Sequence, residues 1–128
     1  MNLDTSFLID LHREYRGRSH SGARDFLLHH SLVRFKISVM VYVEFLEGLR
    51  HSNESKFLEH FRLVPFEEPQ ARVAAEIRKT LRKQGTLIGD LDVCIAASAL
   101  VSGEPLVTAN EEHFGRVKGL EVISYRTA

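Results

Sequence analysis

Short apolar runs alternate along the chain with longer segments in which apolar residues recur every three or four positions. The short runs predict buried strands, and the longer segments predict helices with one apolar face. The predicted strands are residues 1–3, 35–38, 106–108 and 120–125, with 63–64 as an edge or connecting segment. The predicted helices are residues 7–11, 21–32, 39–50, 55–61 and 69–84, with a helical turn at 111–114. Together these elements predict an α/β fold, with a mostly parallel central sheet flanked by helices.

A further helix is predicted to follow a glycine loop and to stop at Gly103. Asp90, directly after Gly89, is the predicted N-cap of this helix. Asp92 falls in its first turn, on the face that carries Ile95, Ala96 and Ala99. A carboxylate on an apolar face needs compensation, which either the helix dipole or a bound cation can supply. We therefore interpret Asp90 as a cap and Asp92 as a functional residue.

Polar residues follow two of the predicted strands. Asp4 lies directly after residues 1–3, and Thr5 and Ser6 are predicted to cap the helix that follows. Thr108 and Asn110 lie at the end of strand 106–108. Ligands bind at the carboxyl ends of the strands in open α/β sheets. We expect these side chains to converge in one crevice with the first turn of the helix that carries Asp92.

The helix predicted over residues 39–50 contributes another candidate acid, Glu44. Ser38 is its predicted cap, and its predicted core face consists of Val39, Tyr42, Val43, Leu46 and Leu49. Glu44 and Gly48 fall on a separate face, where the missing side chain of Gly48 leaves space for a ligand or a neighbouring backbone. From residue type alone, a solvated glutamate is the more common outcome, and Glu47 is predicted to face solvent.

Composition narrows the class of protein. The length of 128 residues predicts a single domain, 1–128, and 17 basic residues balance 17 acidic ones, which excludes a generally polycationic nucleic-acid binder. The lone cysteine, Cys94, is typical of a reducing compartment. The sequence has neither an apolar run long enough to span a membrane nor a signal-peptide pattern, so a cytoplasmic protein is expected.

Two groups of basic residues stand out against this balance. One lies near the end of helix 69–84, and its members are Arg78, Lys79, Arg82 and Lys83. The other comprises Arg13, Arg16, Arg18 and Arg24. Each group is compatible with contact to a polyanion and equally with a solvated surface, which the helix dipole favours at the end of helix 69–84.

The candidate side chains present oxygen rather than nitrogen or sulfur. Hard oxygen ligands suit Mg²⁺ or Mn²⁺, whereas the seven histidines are scattered and Cys94 has no thiol partner for zinc. An acid-held divalent ion can activate water for attack on a phosphodiester, which is nuclease chemistry. The sequence has no nucleophile elbow, glycine-rich phosphate loop or Cys/His pair at a credible spacing to support other schemes.

Four segments stand out, taken in order: residues 3–6 (LDTS), 37–48 with EFLEG at its end, 88–97 with Asp92, and 106–114, which contains LVTAN and HF. Together they resemble the PIN domain, and more narrowly the VapC-type toxins of toxin–antitoxin pairs. The resemblance covers nearly the whole chain. Each segment alone is weakly specific, but the ordered set of four is specific.

The resemblance implies a three-layer α/β/α fold and a magnesium-dependent endoribonuclease, with manganese as an alternative cofactor. It implies Asp4 and Asp92 as metal ligands, Glu44 as the third acid, and Asn110 at a position where many members have a fourth aspartate. Further residues are expected to support the site, namely Asp90, Thr108 and Ser6. The implied partners are an RNA substrate, a second copy of the chain and a small cognate VapB-like antitoxin.

Two other classes remain open from the sequence. A phosphoacceptor receiver domain also gathers aspartates and magnesium at strand ends, although no lysine follows a late strand to meet a phosphoryl group. A PIN-like binding module with a weak site, acting through a protein partner, is compatible with Asn110 in place of a fourth acid.

Overall fold

The computed structural model describes residues 1–17, 20–49 and 52–126, and within them five short strands form one parallel sheet. The order across the sheet is β3-β2-β1-β4-β5, and every neighbouring pair is parallel. The strands are β1 (Asn2–Leu3), β2 (Lys36–Ser38), β3 (Arg62–Val64), β4 (Leu106–Thr108) and β5 (Val122–Ser124). The predicted α/β class is confirmed, and the segment at 63–64 is an edge strand.

Helices connect the strands. They are α1 (Thr5–Tyr15), α2 (Ala23–His29), α3 (Val39–Glu47), α4 (Glu68–Gln84), α5 (Asp90–Ser102) and α6 (Glu111–Gly115), with a 3₁₀ helix at Ser52–His60. Helix α2 is therefore shorter than the helix predicted over residues 21–32. Residue 50, the last residue of the predicted helix 39–50, lies outside the described residues. None of the helices in the described ranges has the length and apolar character needed to cross a bilayer.

The strand order places β1 and β4 side by side at the point where the chain changes direction across the sheet. From β1 the chain proceeds to β2 and β3 on one side, and it then crosses to β4 and β5 on the other. Ligands bind at the carboxyl ends of the strands at such a switch point. Asp4 directly follows β1, and Thr108 is the last residue of β4.

The core forms where the helices cover the sheet. Leu3 and Leu106 are fully buried on the central strands, and Phe7 and Leu8 of α1 pack into the same cluster. The small residues predicted on one face of α5 are all buried, as are the α4 residues Ala74, Ile77 and Leu81. Small side chains on α5 let α4 pack closely against it.

The predicted core face of α3 is wrong at Val43 and Leu46, although Tyr42 and Leu49 do pack against the core. Val43 is 52% exposed and Leu46 is 39% exposed, whereas Val41 and Phe45 are buried. Ser38 caps the helix as predicted, with its hydroxyl accepting from the backbone N–H of Val41 at 3.3 Å. Nearly every residue of α3 is apolar, so the apolar pattern could not select the buried face.

Two predicted caps are also wrong. The N-cap of α5 is Gly89, and Asp90 is the first helical residue. The N-cap of α1 is Asp4, and Thr5 and Ser6 lie inside the first turn. In both places the helix begins one or two positions away from the predicted cap, and the side chains predicted to cap it make other contacts.

Candidate active site

Asp4 is held rigidly at the carboxyl end of β1. Its backbone N–H donates to the carbonyl of Val107 at 3.0 Å, which continues the pairing of β1 with β4. Its Oδ2 accepts hydrogen bonds from Thr108 Oγ1 at 2.6 Å and Ser6 Oγ at 2.9 Å. Within the described residues no donor contacts Oδ1, so one oxygen of this buried carboxylate remains available to a ligand.

Ser6 and Thr108 also fix the segment that leaves β4. The Ser6 hydroxyl accepts from the backbone N–H of Ala109 at 3.1 Å, and the Thr108 hydroxyl accepts from the backbone N–H of Asn110 at 2.9 Å. The start of α1 and the exit of β4 are thus joined through two hydroxyl groups. Both residues also donate to Asp4.

Glu44 reaches the same region from α3. Its Oε1 accepts a hydrogen bond from Thr5 Oγ1 at 2.7 Å, and the residue is half-buried. The solvated glutamate that residue type alone favoured is therefore not what the structure shows. Glu47, three residues further on, is exposed as predicted.

Asp92 completes a group of three acids. Its side chain retains 27% of its exposure in the first turn of α5. Burial raises the pKa of the Asp92 carboxyl, the negative charges of Asp4 and Glu44 raise it further, and His113 opposes the shift. Asp4 and Glu44 are therefore near enough to act on Asp92 through their charges. The fold thus brings together three side chains that are 40 to 88 positions apart in the sequence.

Asn110 lies at the rim of this group, together with a histidine to which the sequence analysis gave no role. The side-chain nitrogen Nδ2 of Asn110 is 3.1 Å from Nδ1 of His113, and that ring nitrogen is 3.8 Å from Oδ2 of Asp92. The i, i+3 spacing of Asn110 and His113 at the start of a short helix was the signal that could have revealed the pair.

Asp90 does not join the group. Its side chain is 79% exposed and forms an ion pair with Arg78 of α4 at 3.4 Å. Two residues turn a helix through about 200°, so Asp90 and Asp92 face opposite sides of α5. Within the described residues, no hydrogen bond or ion pair joins Asp90 to the acidic site.

The donor set can be compared with the needs of a cation. Within the described ranges, no three His, Cys, Asp or Glu side chains are close enough to form a ready-made metal cage. Mg²⁺ does not need one, because it retains several waters and binds through one or two carboxylates and the substrate phosphate. Asp4, Glu44 and Asp92 offer carboxylate oxygens, and Cys94 is a free, half-buried thiol on α5. This donor set fits Mg²⁺ or Mn²⁺.

The sequence is similar to a known protein family and to individual proteins within it. The PIN domain family model matches residues 1–120. The chain is 32% identical over 126 residues to Ribonuclease VapC1 of Methanocaldococcus jannaschii, covering 94% of this chain and 84% of that protein. It is 37% identical over 99 residues to Ribonuclease VapC1 of Rickettsia felis, covering 69% of this chain and 74% of the relative.

Solved structures share the fold. The DNA-bound VapBC structure from Salmonella typhimurium superposes with a TM-score of 0.82 at 22% identity, covering 97% of this chain and 96% of that one. VapBC-1 from nontypeable Haemophilus influenzae superposes with a TM-score of 0.81 at 24% identity, over 97% and 96% of the two chains. None of the matches named above is a receiver domain. The chain belongs to the PIN domain family, and the relatives named above are VapC ribonucleases.

Proposed function

We propose that this protein is a magnesium-dependent endoribonuclease of the VapC type, which hydrolyses RNA phosphodiesters in the cytoplasm. The observation that carries the proposal is the convergence of Asp4, Glu44 and Asp92, from three separate segments, at the switch point of the sheet. The name ribonuclease carried by relatives more than 30% identical supports the same activity. A binding module without catalysis is not favoured by those relatives.

Asp4 and Asp92 would hold the cation, and Mn²⁺ is expected to replace Mg²⁺. When bound, the ion lowers the pKa of a water molecule and neutralises charge on the phosphoryl oxygens. Ser6 and Thr108 fix the Asp4 carboxylate by donating to one of its oxygens, which leaves the other oriented for the ion. Glu44 adds a third negative charge and an acceptor for a proton or a water.

Asn110 contributes an uncharged side chain at the rim. Its amide can donate to or accept from a water or a phosphate oxygen, but it adds no charge to hold a second cation. The arrangement therefore favours a single tightly bound ion. Single-stranded RNA is the expected substrate, because the backbone must be splayed to bring one phosphate to these carboxylates.

We also propose two protein partners. The solved structures named above are VapBC complexes, which supports a cognate VapB-like antitoxin for this chain. A second copy of the chain is the other proposed partner, and the exposed apolar face of α3, with Val43 and Leu46, is a suitable surface for it.

Cleavage of single-stranded RNA tests the enzymatic proposal. The full chain should cut RNA with Mg²⁺ or Mn²⁺ and should stop when the ion is chelated. Asp4→Asn and Asp92→Asn should each reduce the rate by more than the roughly 100-fold that loss of an outer-shell partner costs. Asp25→Asn, on an exposed face of α2, is the matched control and should cut normally. Full activity in both site variants would refute the proposed site.

A further inference from the structure

Four basic residues form an exposed cluster on the second half of α4. The members of this α4 basic cluster are Arg78, Lys79, Arg82 and Lys83. Arg78 pairs with Asp90 at 3.4 Å, and Lys79 pairs with Glu76, also at 3.4 Å. Within the described part of the chain, Arg82 and Lys83 have no acidic partner. The cluster therefore carries a local excess of positive charge on a chain with 17 basic and 17 acidic residues.

The helix dipole accounts for only part of the cluster. Cations are stabilised in the last turn of a helix, where Arg82 and Lys83 lie. The effect falls off beyond that turn, so it gives little reason for Arg78 and Lys79 one turn earlier. All four side chains remain in solvent, where a polyanion could reach them.

Packing of α4 against α5 places the cluster across the first turn of α5 from the acidic site. The contact between Arg78 and Asp90 joins the cluster to the first turn of α5, the turn that also carries Asp92. Asp90 and Asp92 lie on opposite sides of that turn, and a helix with its side chains is about 10–12 Å across. The distance from Arg78 to Asp92 is thus on the order of one helix diameter.

The positive charge of the cluster can offset the repulsion between the three acids and an RNA backbone. Asp4, Glu44 and Asp92 together repel a nucleic-acid backbone, and one divalent ion offsets only part of their charge. A strand that places one phosphate at the acids must run its neighbouring phosphates across nearby surface. The α4 basic cluster supplies positive charge at that range, on the far side of the α5 N-terminus.

We propose that the α4 basic cluster is a phosphate-binding surface for single-stranded RNA, holding nucleotides that flank the cleaved bond. The inference rests on the proposed ribonuclease function and extends it to the path of the substrate. Because the cluster would contact the phosphates and not the bases, RNA binding should be insensitive to base sequence and sensitive to salt.

Salt-dependent binding tests the surface without requiring cleavage. The probe is a labelled single-stranded RNA of about twelve nucleotides, within the range of single-strand binding sites, mixed with the full chain in EDTA. The slope of log affinity against log salt is about −0.7 per neutralised phosphate. The double variant Arg82→Gln/Lys83→Gln should therefore make the slope shallower by about 1.4. Arg72→Gln, paired with Glu68 at the far end of α4, should leave the slope unchanged.

The outcomes separate this inference from the proposed function. A wild-type slope in the double variant would overturn the surface whether or not the protein cuts RNA. A shallower slope in a protein that never cuts RNA would support the surface and count against the enzyme. Binding of duplex DNA through the same residues, at higher affinity than the RNA, would also overturn the assignment to single-stranded RNA.

Discussion

The hydroxyl of Thr5 donates a hydrogen bond of 2.7 Å to Oε1 of Glu44. Thr5 is buried in the first turn of α1 and directly follows Asp4. The turn that presents one acid of the site therefore also holds a second acid, which comes from α3. The sequence interpretation made Thr5 a helix cap. Because Asp4 is the N-cap, the Thr5 hydroxyl is instead available to orient Glu44.

Thr5→Val should weaken RNA cleavage by orienting Glu44 less well. Loss of an outer-shell hydrogen bond costs roughly 10- to 100-fold in activity or metal affinity. We expect a fall of about tenfold in kcat, little change in the KM for RNA, and a higher Mg²⁺ requirement. Thr5→Ser retains the hydroxyl and should restore most of the activity. Equal losses in Thr5→Val and Thr5→Ser would show that packing, rather than the hydrogen bond, is what matters.

Much of this architecture could be predicted from the sequence, because parallel strands have a simple signature. A run that is apolar on both faces must be buried, as with β4, and its carboxyl end must lie at the ligand-binding edge. Asp4 and Thr108 could be placed in this way before any coordinates. The inward position of Asp92 followed equally directly from its helical spacing to Ile95 and Ala96.

Other features depend on packing that no local pattern encodes. Glu44 becomes part of the site because Thr5, 39 positions away, holds it, and residue type alone favoured a solvated side chain. The buried face of α3 is chosen by its neighbours, since Val41 and Val43 are equally apolar. The ion pair of Asp90 with Arg78 likewise depends on the packing of α4 against α5, which no local pattern shows.

Asn110→Asp tests how the missing fourth charge limits the site. A carboxylate at the rim would attract a divalent ion, and one added charge near it is worth at least about 1.4 kcal/mol at an effective dielectric of about 20. Mn²⁺ affinity measured by calorimetry should rise by about tenfold or more. Asn110→Ala, which adds no charge, is the control and should show no rise. An unchanged affinity in Asn110→Asp would place this residue outside the range of the ion.

Val43→Glu tests the proposed self-association through α3. Val43 is 52% exposed and lies one turn from Leu46, so the two form part of one apolar surface. A glutamate buried there without a partner should weaken dimer formation by about 100-fold, as measured by sedimentation, with no change in the circular dichroism spectrum. Leu28→Glu, on the exposed face of α2, is the matched control and should dimerise normally. A wild-type protein that stays monomeric at high concentration would contradict the proposal.

Glu104→Gln should cost stability at neutral pH and not in acid. Glu104 pairs with Lys36 and with the amino group of Met1, and these contacts lower its pKa from 4.5 to about 2. Folding therefore favours the ionised form, so the stabilisation is complete above pH 4.5 and is lost as the pH falls towards 2. The side chain is 37% exposed, which limits the contribution to about 1 kcal/mol.

The free energies of unfolding in urea of the wild type and Glu104→Gln should differ by this amount at pH 7 and converge near pH 2. Glu121→Gln, at an exposed position, is the control and should match the wild type throughout. A difference that persists undiminished at pH 2 would show that the substitution acts through packing and not through charge.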